Sequence, residues 1–174
     1  NTYITELVAL DRSGKRIHAH TQIYEQIFRS FYDNTMSLYQ DQYGLFGDAE
    51  VLPMKIFWDY TYYWSVLAQL FFQERLTDVA SLAHLKDELA HCQRLNVAVQ
   101  ALLRRWGTVS ARSNPAQMLD QASVPWFVEL NRSLQDRLDD EAFRQRMREA
   151  TSRLHVLARE LLQRAQADHP GLDG

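Results

Sequence analysis

The stretch that decides the fold is residues 78–107, DVASLAHLKDELAHCQRLNVAVQALLRRWG. Its apolar side chains recur alternately three and four residues apart, the spacing that places them on one face of an α-helix. The face consists of Leu82, Leu85, Leu89, Cys92, Asn96, Val99, Leu103 and Trp106. Asp78 is suited to cap the start of the helix and Gly107 to end it, while Asn96 is the one polar interruption of the face. The stretch therefore predicts one long, well-packed helix.

Turn-forming residues divide the rest of the chain into further helices. The breaks fall at Ser13-Gly14, between Tyr43 and Pro53, between Gly107 and Pro115, and at His169-Pro170-Gly171. The other predicted helices run from Asn1 to Gly14, His18 to Gln42, Pro53 to Leu76, Pro125 to Leu138 and Asp140 to Ala167. We therefore expect an all-α fold, an antiparallel bundle of about five to six helices around the aromatic-rich third helix, in a single domain over residues 1–174.

The third helix is apolar almost all round, since Asp59 is its only charged residue between Ile56 and Phe72. Such a run raises the possibility of a membrane span, but its tyrosine, threonine, serine and glutamine side chains are too polar for the hydrocarbon interior. We expect a buried central helix and no membrane partner.

Composition and charge narrow the function classes. Nineteen basic and 22 acidic residues give a net charge of −3, and no basic arm is present to neutralise a phosphate backbone, which argues against nucleic acid. Cys92 is the single cysteine, so neither an internal disulfide nor a cysteine-based zinc site can form, which favours a cytoplasmic setting. The chain begins at Asn1 without the layout of a signal peptide, and we expect it to be cut from a longer polypeptide.

Catalytic and cofactor motifs are missing from the sequence. There is no G-x-S-x-G, P-loop or G-x-G-x-x-G pattern. Glu88 and His91 have the E-x-x-H spacing of di-iron bundles, but no second copy accompanies them, and a solvated helix face explains them better. We expect no metal ligands and no cofactor-binding residues here, so that the isolated chain binds neither FAD nor a transition metal.

Asp59 stands among aromatic residues, where an unpaired carboxylate would be costly to bury. Lys55 lies four residues earlier on the same helix face. An ion pair between the two, or tyrosine hydroxyls that bond to the carboxylate, is the structural explanation. The functional alternative is a catalytic acid or base with a raised pKa. The aromatic run FWDYTYYW at residues 57–64 leaves a similar choice between a large core and the wall of a pocket for a planar ligand.

Several stretches resemble a known family. They are FYDNT at 31–35 with Leu38-Tyr39, DQYGLFGD at 41–48, KIFWDYTYYW at 55–64, NTYITEL at 1–7 and NPAQMLDQ at 114–121. Together they are similar to the C-terminal helical part of bacterial FAD-dependent oxidoreductases of the flavin-dependent, tryptophan-type halogenase family. The resemblance covers most of the chain but includes no catalytic signature of the family, and Lys55 does not match its catalytic lysine motif.

The resemblance implies that this chain is one part of a longer flavoenzyme. In this family the FAD-binding and catalytic residues lie in an upstream flavin domain, and the C-terminal helices cover that domain and help to close the pocket for an aromatic substrate. It implies that the residues facing substrate or flavin domain are Tyr60, Tyr62, Tyr63, Trp64 and Asp59. We expect self-association of the isolated chain through the apolar surface left uncovered, around Leu45-Phe46 or the third helix. The alternatives are a stand-alone helical interaction module and a ligand- or metal-binding helical bundle.

Overall fold

A computed structural model describes residues 1–111 and 120–172. In these two ranges all regular structure is helical, which confirms the predicted all-α class. The α-helices are α1 (Thr2–Arg12), α2 (His18–Met36), α3 (Val51–Tyr63), α4 (Gln69–Phe72), α5 (Val79–His84), α6 (Lys86–Val109), α7 (Pro125–Arg132) and α8 (Asp140–Asp168). A π-helical segment, Trp64–Ala68, joins α3 to α4, and short 3₁₀ turns occur at Tyr43–Leu45, Gln121–Ser123 and Ser133–Gln135.

The core lies where α3, the π segment, α6 and α8 meet. The π segment also contacts α7, so the aromatic-rich third helix is central, as predicted. The fully buried residues of the core include Trp58 from α3, Leu103 and Trp106 from α6, and Met147 and Leu154 from α8. These side chains give the bundle one continuous apolar interior, the expected solution for amphipathic helices that must bury one face.

Several predicted helix boundaries differ from the structure. The third helix, predicted to reach Leu76, ends at Phe72, and the helix predicted to reach Leu138 ends at Arg132. Helix α2 ends at Met36 rather than Gln42, and the chain then turns, with Asp41 at a positive φ of 57°. Helix α3 begins at Val51, two residues before Pro53, because the Asp48 carboxylate accepts the backbone N–H groups of Glu50 and Val51 at 3.0 and 3.1 Å. The side chain that starts this helix therefore lies outside it, in the preceding turn.

The long helix predicted over residues 78–107 is interrupted and extended. Asp78 caps its start as predicted, accepting the Ser81 N–H at 3.0 Å, but the helix breaks at Leu85 between α5 and α6. Gly107 does not end α6, which continues to Val109. This glycine is buried, and a Cβ placed there would lie 2.2 Å from Cδ2 of Leu45. Its role is close packing, not helix termination.

None of the helices in the described residues combines the length and the apolar character that a bilayer crossing requires. The predicted break at Ser113-Asn114-Pro115, and residues 114–119 of the family resemblance, lie outside the described residues.

Candidate functional site

The five residues singled out for substrate binding face several directions, because neighbours on a helix point about 100° apart. Tyr60 and Tyr63 are 45% and 47% exposed, and Trp64 is partly buried. Tyr62 is only 5% exposed and faces α2 and α6. The structure thus brings Tyr60 and Trp64 together on one surface and places Tyr62 in a different environment.

Tyr60 and Trp64 belong to a cluster of rings between α3 and α7, which we call the α3–α7 aromatic face. The face comprises Phe57, Tyr60, Trp64, Trp126 and Phe127. Phe127 is buried at its centre, with ring centroids 4.7 Å from Trp64 and 5.0 Å from Phe57. Trp126, like Tyr60, remains 45% exposed. The α3–α7 aromatic face therefore has solvent-exposed aromatic rings around a buried central ring, Phe127.

Asp59 forms the ion pair predicted from its spacing. The Lys55 ammonium lies 2.7 Å from Asp59 Oδ2 and also donates to the Leu38 carbonyl at 2.7 Å and to Gln100 Oε1 at 3.1 Å. Lys55 is 3% exposed, whereas Asp59 keeps a partly exposed edge. Burial raises the pKa of Asp59 above its ordinary value, and Lys55 and the Gln100 amide only partly offset that effect.

A chain of buried hydrogen bonds continues from this ion pair into the bundle. Gln100 Nε2 donates to Asp59 Oδ1 at 2.8 Å and to Asn96 Oδ1 at 3.3 Å. Asn96 Nδ2 donates to Asn34 Oδ1 at 3.0 Å, and Asn34 Nδ2 donates to the Tyr62 hydroxyl oxygen. Polar groups from α2, α3 and α6 therefore form hydrogen bonds with one another inside the bundle.

Donor-only groups set the direction of these bonds. The Trp58 indole N–H, which can only donate, lies 2.9 Å from Asn96 Oδ1, so the Asn96 amide nitrogen must face Asn34. The Asn34 oxygen then accepts, and its nitrogen faces the Tyr62 oxygen. No acceptor for the Tyr62 hydroxyl hydrogen is found among the residues that the structure describes. Burial raises the pKa of Tyr62, which keeps the hydroxyl protonated and available as a donor.

Asn34 and Tyr62 also line a cavity of about 540 Å³ between α2, the α3 and π segment, α5 and α6. Its walls are mainly apolar, and Lys86 is the only charged side chain among its lining residues in the described ranges. The principal apolar contributors are Ile23, Ile27, Phe31, Val66, Leu82 and Leu89. A mostly apolar cavity with a few polar groups is the usual form of a small-molecule site.

A second polar cluster links His169, the residue after α8, to the rest of the bundle. Glu50 Oε1 accepts the Trp106 indole N–H at 2.6 Å and lies 2.7 Å from His169 Nε2, while Ser110 donates to Glu50 Oε2 at 3.0 Å. Burial raises the pKa of Glu50, but these hydrogen bonds outweigh it and the pKa lies below its ordinary value. The cluster joins the start of α3, the end of α6 and the residue after α8, so its role is structural.

Among the described residues, the E-x-x-H pair of Glu88 and His91 is not part of a wider ligand set. His91 stacks near His155, with ring centroids 6.0 Å apart. Within residues 1–111 and 120–172 no group of three or more histidine, cysteine or acidic side chains is arranged to hold a metal ion.

Sequence reasoning did not single out Asn34 or Gln100 as part of any site. The signal that could have found Gln100 was Asn96, the one polar interruption of the apolar face, because Gln100 follows it one turn later. No local signal marked Asn34, which reaches Asn96 only through the fold.

Compared with protein-family models, with curated proteins and with solved structures, the chain matches none.

Proposed function

We propose that this chain is the C-terminal helical part of a cytoplasmic FAD-dependent oxidoreductase of the halogenase type, which acts on an aromatic substrate. The family resemblance of residues 31–48 and 55–64 supports this function. In this proposal the chain packs against an upstream flavin domain of the same polypeptide. The buried free thiol of Cys92 is in keeping with a reducing compartment.

The observation that carries the proposal is the α3–α7 aromatic face. Tyr60 and Trp126 leave almost half of their surface exposed, and the neighbouring Tyr63 does the same. Exposed aromatic groups that adjoin one another mark interaction surfaces, since their burial removes much apolar area from water. We assign this face to the contact with the flavin domain and to the edge of the substrate pocket.

The residues of this chain do not fit FAD. Close backbone approach to a pyrophosphate requires glycines that leave open space at a helix start. The sequence contains neither a G-x-G-x-x-G nor a P-loop pattern that would supply such a glycine-rich loop. FAD therefore belongs to the flavin domain in this proposal, and the helices contribute an aromatic wall that excludes water from the reacting centre.

A stand-alone interaction module is the alternative reading of the same face. It shares the exposed aromatic rings but needs a separate protein as partner and a start codon of its own. The two functions differ in what lies upstream of Asn1 in the gene.

The test is to determine the reading frame that encodes the chain and to purify its full product. We expect a dinucleotide-binding glycine motif upstream of Asn1, and a full product that binds FAD and halogenates aromatic compounds when supplied with reduced flavin, dioxygen and a halide. A start codon at this point, or a full product that neither binds added FAD nor transforms aromatic compounds, would contradict the proposal.

A further inference from the structure

We propose that the cavity between α2, the α3 and π segment, α5 and α6 binds a small aryl carboxylate that carries an oxygen acceptor at the far end of its ring system. This site is separate from the α3–α7 aromatic face and does not depend on a flavin domain. The aryl rings occupy the apolar walls, the acceptor meets the Tyr62 hydroxyl, and the carboxylate meets Lys86.

The inner end of the site is set by the hydrogen-bond chain. Trp58 orients Asn96, Asn96 orients Asn34, and the Asn34 amide occupies the Tyr62 oxygen as its acceptor. The Tyr62 hydrogen is left to donate, and both Tyr62 and Asn34 line the cavity while being at least nine-tenths buried. A buried donor without an acceptor is costly, so a ligand oxygen at this position gains a full hydrogen bond.

The outer end is set by charge. Lys86, at the start of α6, is exposed and is the only charged side chain among the described residues that line the cavity. No ion pair of Lys86 is found in residues 1–111 or 120–172. A carboxylate at the mouth would find a cation without a competing acid on the cavity wall, whereas a ligand amine would meet repulsion.

The size and the lining of the cavity can accommodate two fused rings. Its volume of about 540 Å³ lies within the range of small-molecule sites. Phe31 and Tyr62 contribute aromatic walls, and Val66 of the π segment contributes an aliphatic one. The π turn widens the helix beside the cavity, which is a common location for such turns.

The experiment uses isothermal titration calorimetry with the 174-residue chain and three related compounds. The probe is 6-methoxy-2-naphthoate, while 2-naphthoate lacks the acceptor and 2-methoxynaphthalene lacks the carboxylate. We expect the probe to bind about tenfold more tightly than either relative, as each comparison removes one hydrogen bond or charge contact. Absence of probe binding, or equal affinity for all three, would overturn the proposal.

Substitutions at Tyr62 and Lys86 then test which end of the ligand each residue contacts. Tyr62→Phe should weaken the probe about tenfold and leave 2-naphthoate unchanged, and Lys86→Gln should weaken both carboxylates but not 2-methoxynaphthalene. Lys15→Gln, which removes an exposed lysine between α1 and α2, is the matched control and should change nothing. Loss of probe affinity with Lys15→Gln equal to that with Lys86→Gln would overturn the assignment.

A third variant does not depend on the hydrogen-bond chain. Ala83 is an exposed residue on the cavity wall, so Ala83→Trp fills the space without disturbing the core. It should abolish binding of all three compounds while the thermal midpoint is retained. Undiminished binding by this folded variant would place the ligand elsewhere and contradict the proposal.

Discussion

At the residue scale, the polar groups that matter most are those held between helices. Lys55 is buried beside Asp59, Gln100 and the Leu38 carbonyl, so its charge is balanced by a carboxylate and two uncharged oxygens. A buried ammonium that loses its carboxylate is left uncompensated, which is far more damaging than the loss of a surface pair.

Asp59→Ala should therefore lower the free energy of unfolding by about 3 kcal/mol, the lower end for a buried pair because Asp59 is partly exposed. The matched control is Glu25→Ala, which removes the acid of an exposed pair with Arg29 at the same four-residue spacing. It should cost less than about 0.5 kcal/mol. Urea unfolding at pH 7 measures both, and equal losses would show that the Lys55 pair is not a buried structural contact.

The cap of α5 makes a prediction about pH. The Ser81 backbone N–H, together with its hydroxyl and with Arg75, holds the pKa of Asp78 below its ordinary value of 3.8. Since the folded state favours the ionised form, Asp78 adds stability above pH 3.8 that is lost as the pH falls through its lowered pKa.

Asp78→Asn keeps a capping oxygen and removes this titration. The variant should be less stable than the wild type at pH 7, and the difference should narrow towards pH 3. Urea unfolding at the two pH values gives the result. A difference that stayed constant or widened on acidification would contradict the assigned role of the carboxylate.

The contacts predicted correctly at this scale were local ones. The spacing of Lys55 and Asp59 within one helix indicated their ion pair as one of two structural explanations, and the position of Asp78 predicted its cap. Gln100 lies 41 residues from Asp59, and Asn34 lies 62 residues from Asn96. Such pairs are created by the packing of helices and leave no periodic signal in the sequence.

At the element scale, periodicity predicted which segments are helical, but contacts between elements decided where helices end. Gly107 illustrates this because glycine is typical of helix ends, whereas here it lies within α6 and the Leu45 side chain packs against it. The π segment Trp64–Ala68 is a similar case, since the apolar run through it is equally compatible with an uninterrupted α-helix.

Gly107→Ala should destabilise the protein by about 1–3 kcal/mol, since the new methyl group overlaps the buried Leu45 side chain. At an open helical position the same change would stabilise by about 1 kcal/mol. In a Leu45→Ala background the overlap is removed, so Gly107→Ala should become stabilising there. Thermal and urea unfolding of the four proteins give the cycle, and stabilisation by Gly107→Ala alone would contradict the packing role.

At the scale of the whole molecule, the aromatic residues separate into those that fill the core and those that remain outside. Trp58 and Trp106 are fully buried, whereas Tyr60 and Trp126 are not. The sequence predicted the all-α class and the central third helix, because the spacing of apolar residues indicates both that a segment is α-helical and which of its faces are buried. It could not separate inner from outer rings in residues 57–64, because an aromatic run covers every side of the helix.

The exposed rings predict self-association of the 174-residue chain. Sedimentation velocity should show a concentration-dependent dimer, and the double change Tyr60→Ser with Trp126→Ser should shift it to monomer because the shared apolar surface is lost. The matched control is Phe28→Ser with Tyr32→Ser, an exposed ring pair on α2 whose centroids are 6.1 Å apart. An equal shift in the control would show that association is not specific to the α3–α7 aromatic face.

Hydroxyl-radical footprinting of Tyr60 and Trp126, in the intact polypeptide and in the 174-residue chain at a concentration low enough to keep it monomeric, tests the central claim most directly. If this chain covers a flavin domain through the α3–α7 aromatic face, oxidation of both side chains should fall sharply in the intact polypeptide. Tyr32 on α2 is the internal reference, and its oxidation should be the same in both samples. Equal oxidation of Tyr60 and Trp126 in the two samples would contradict the account.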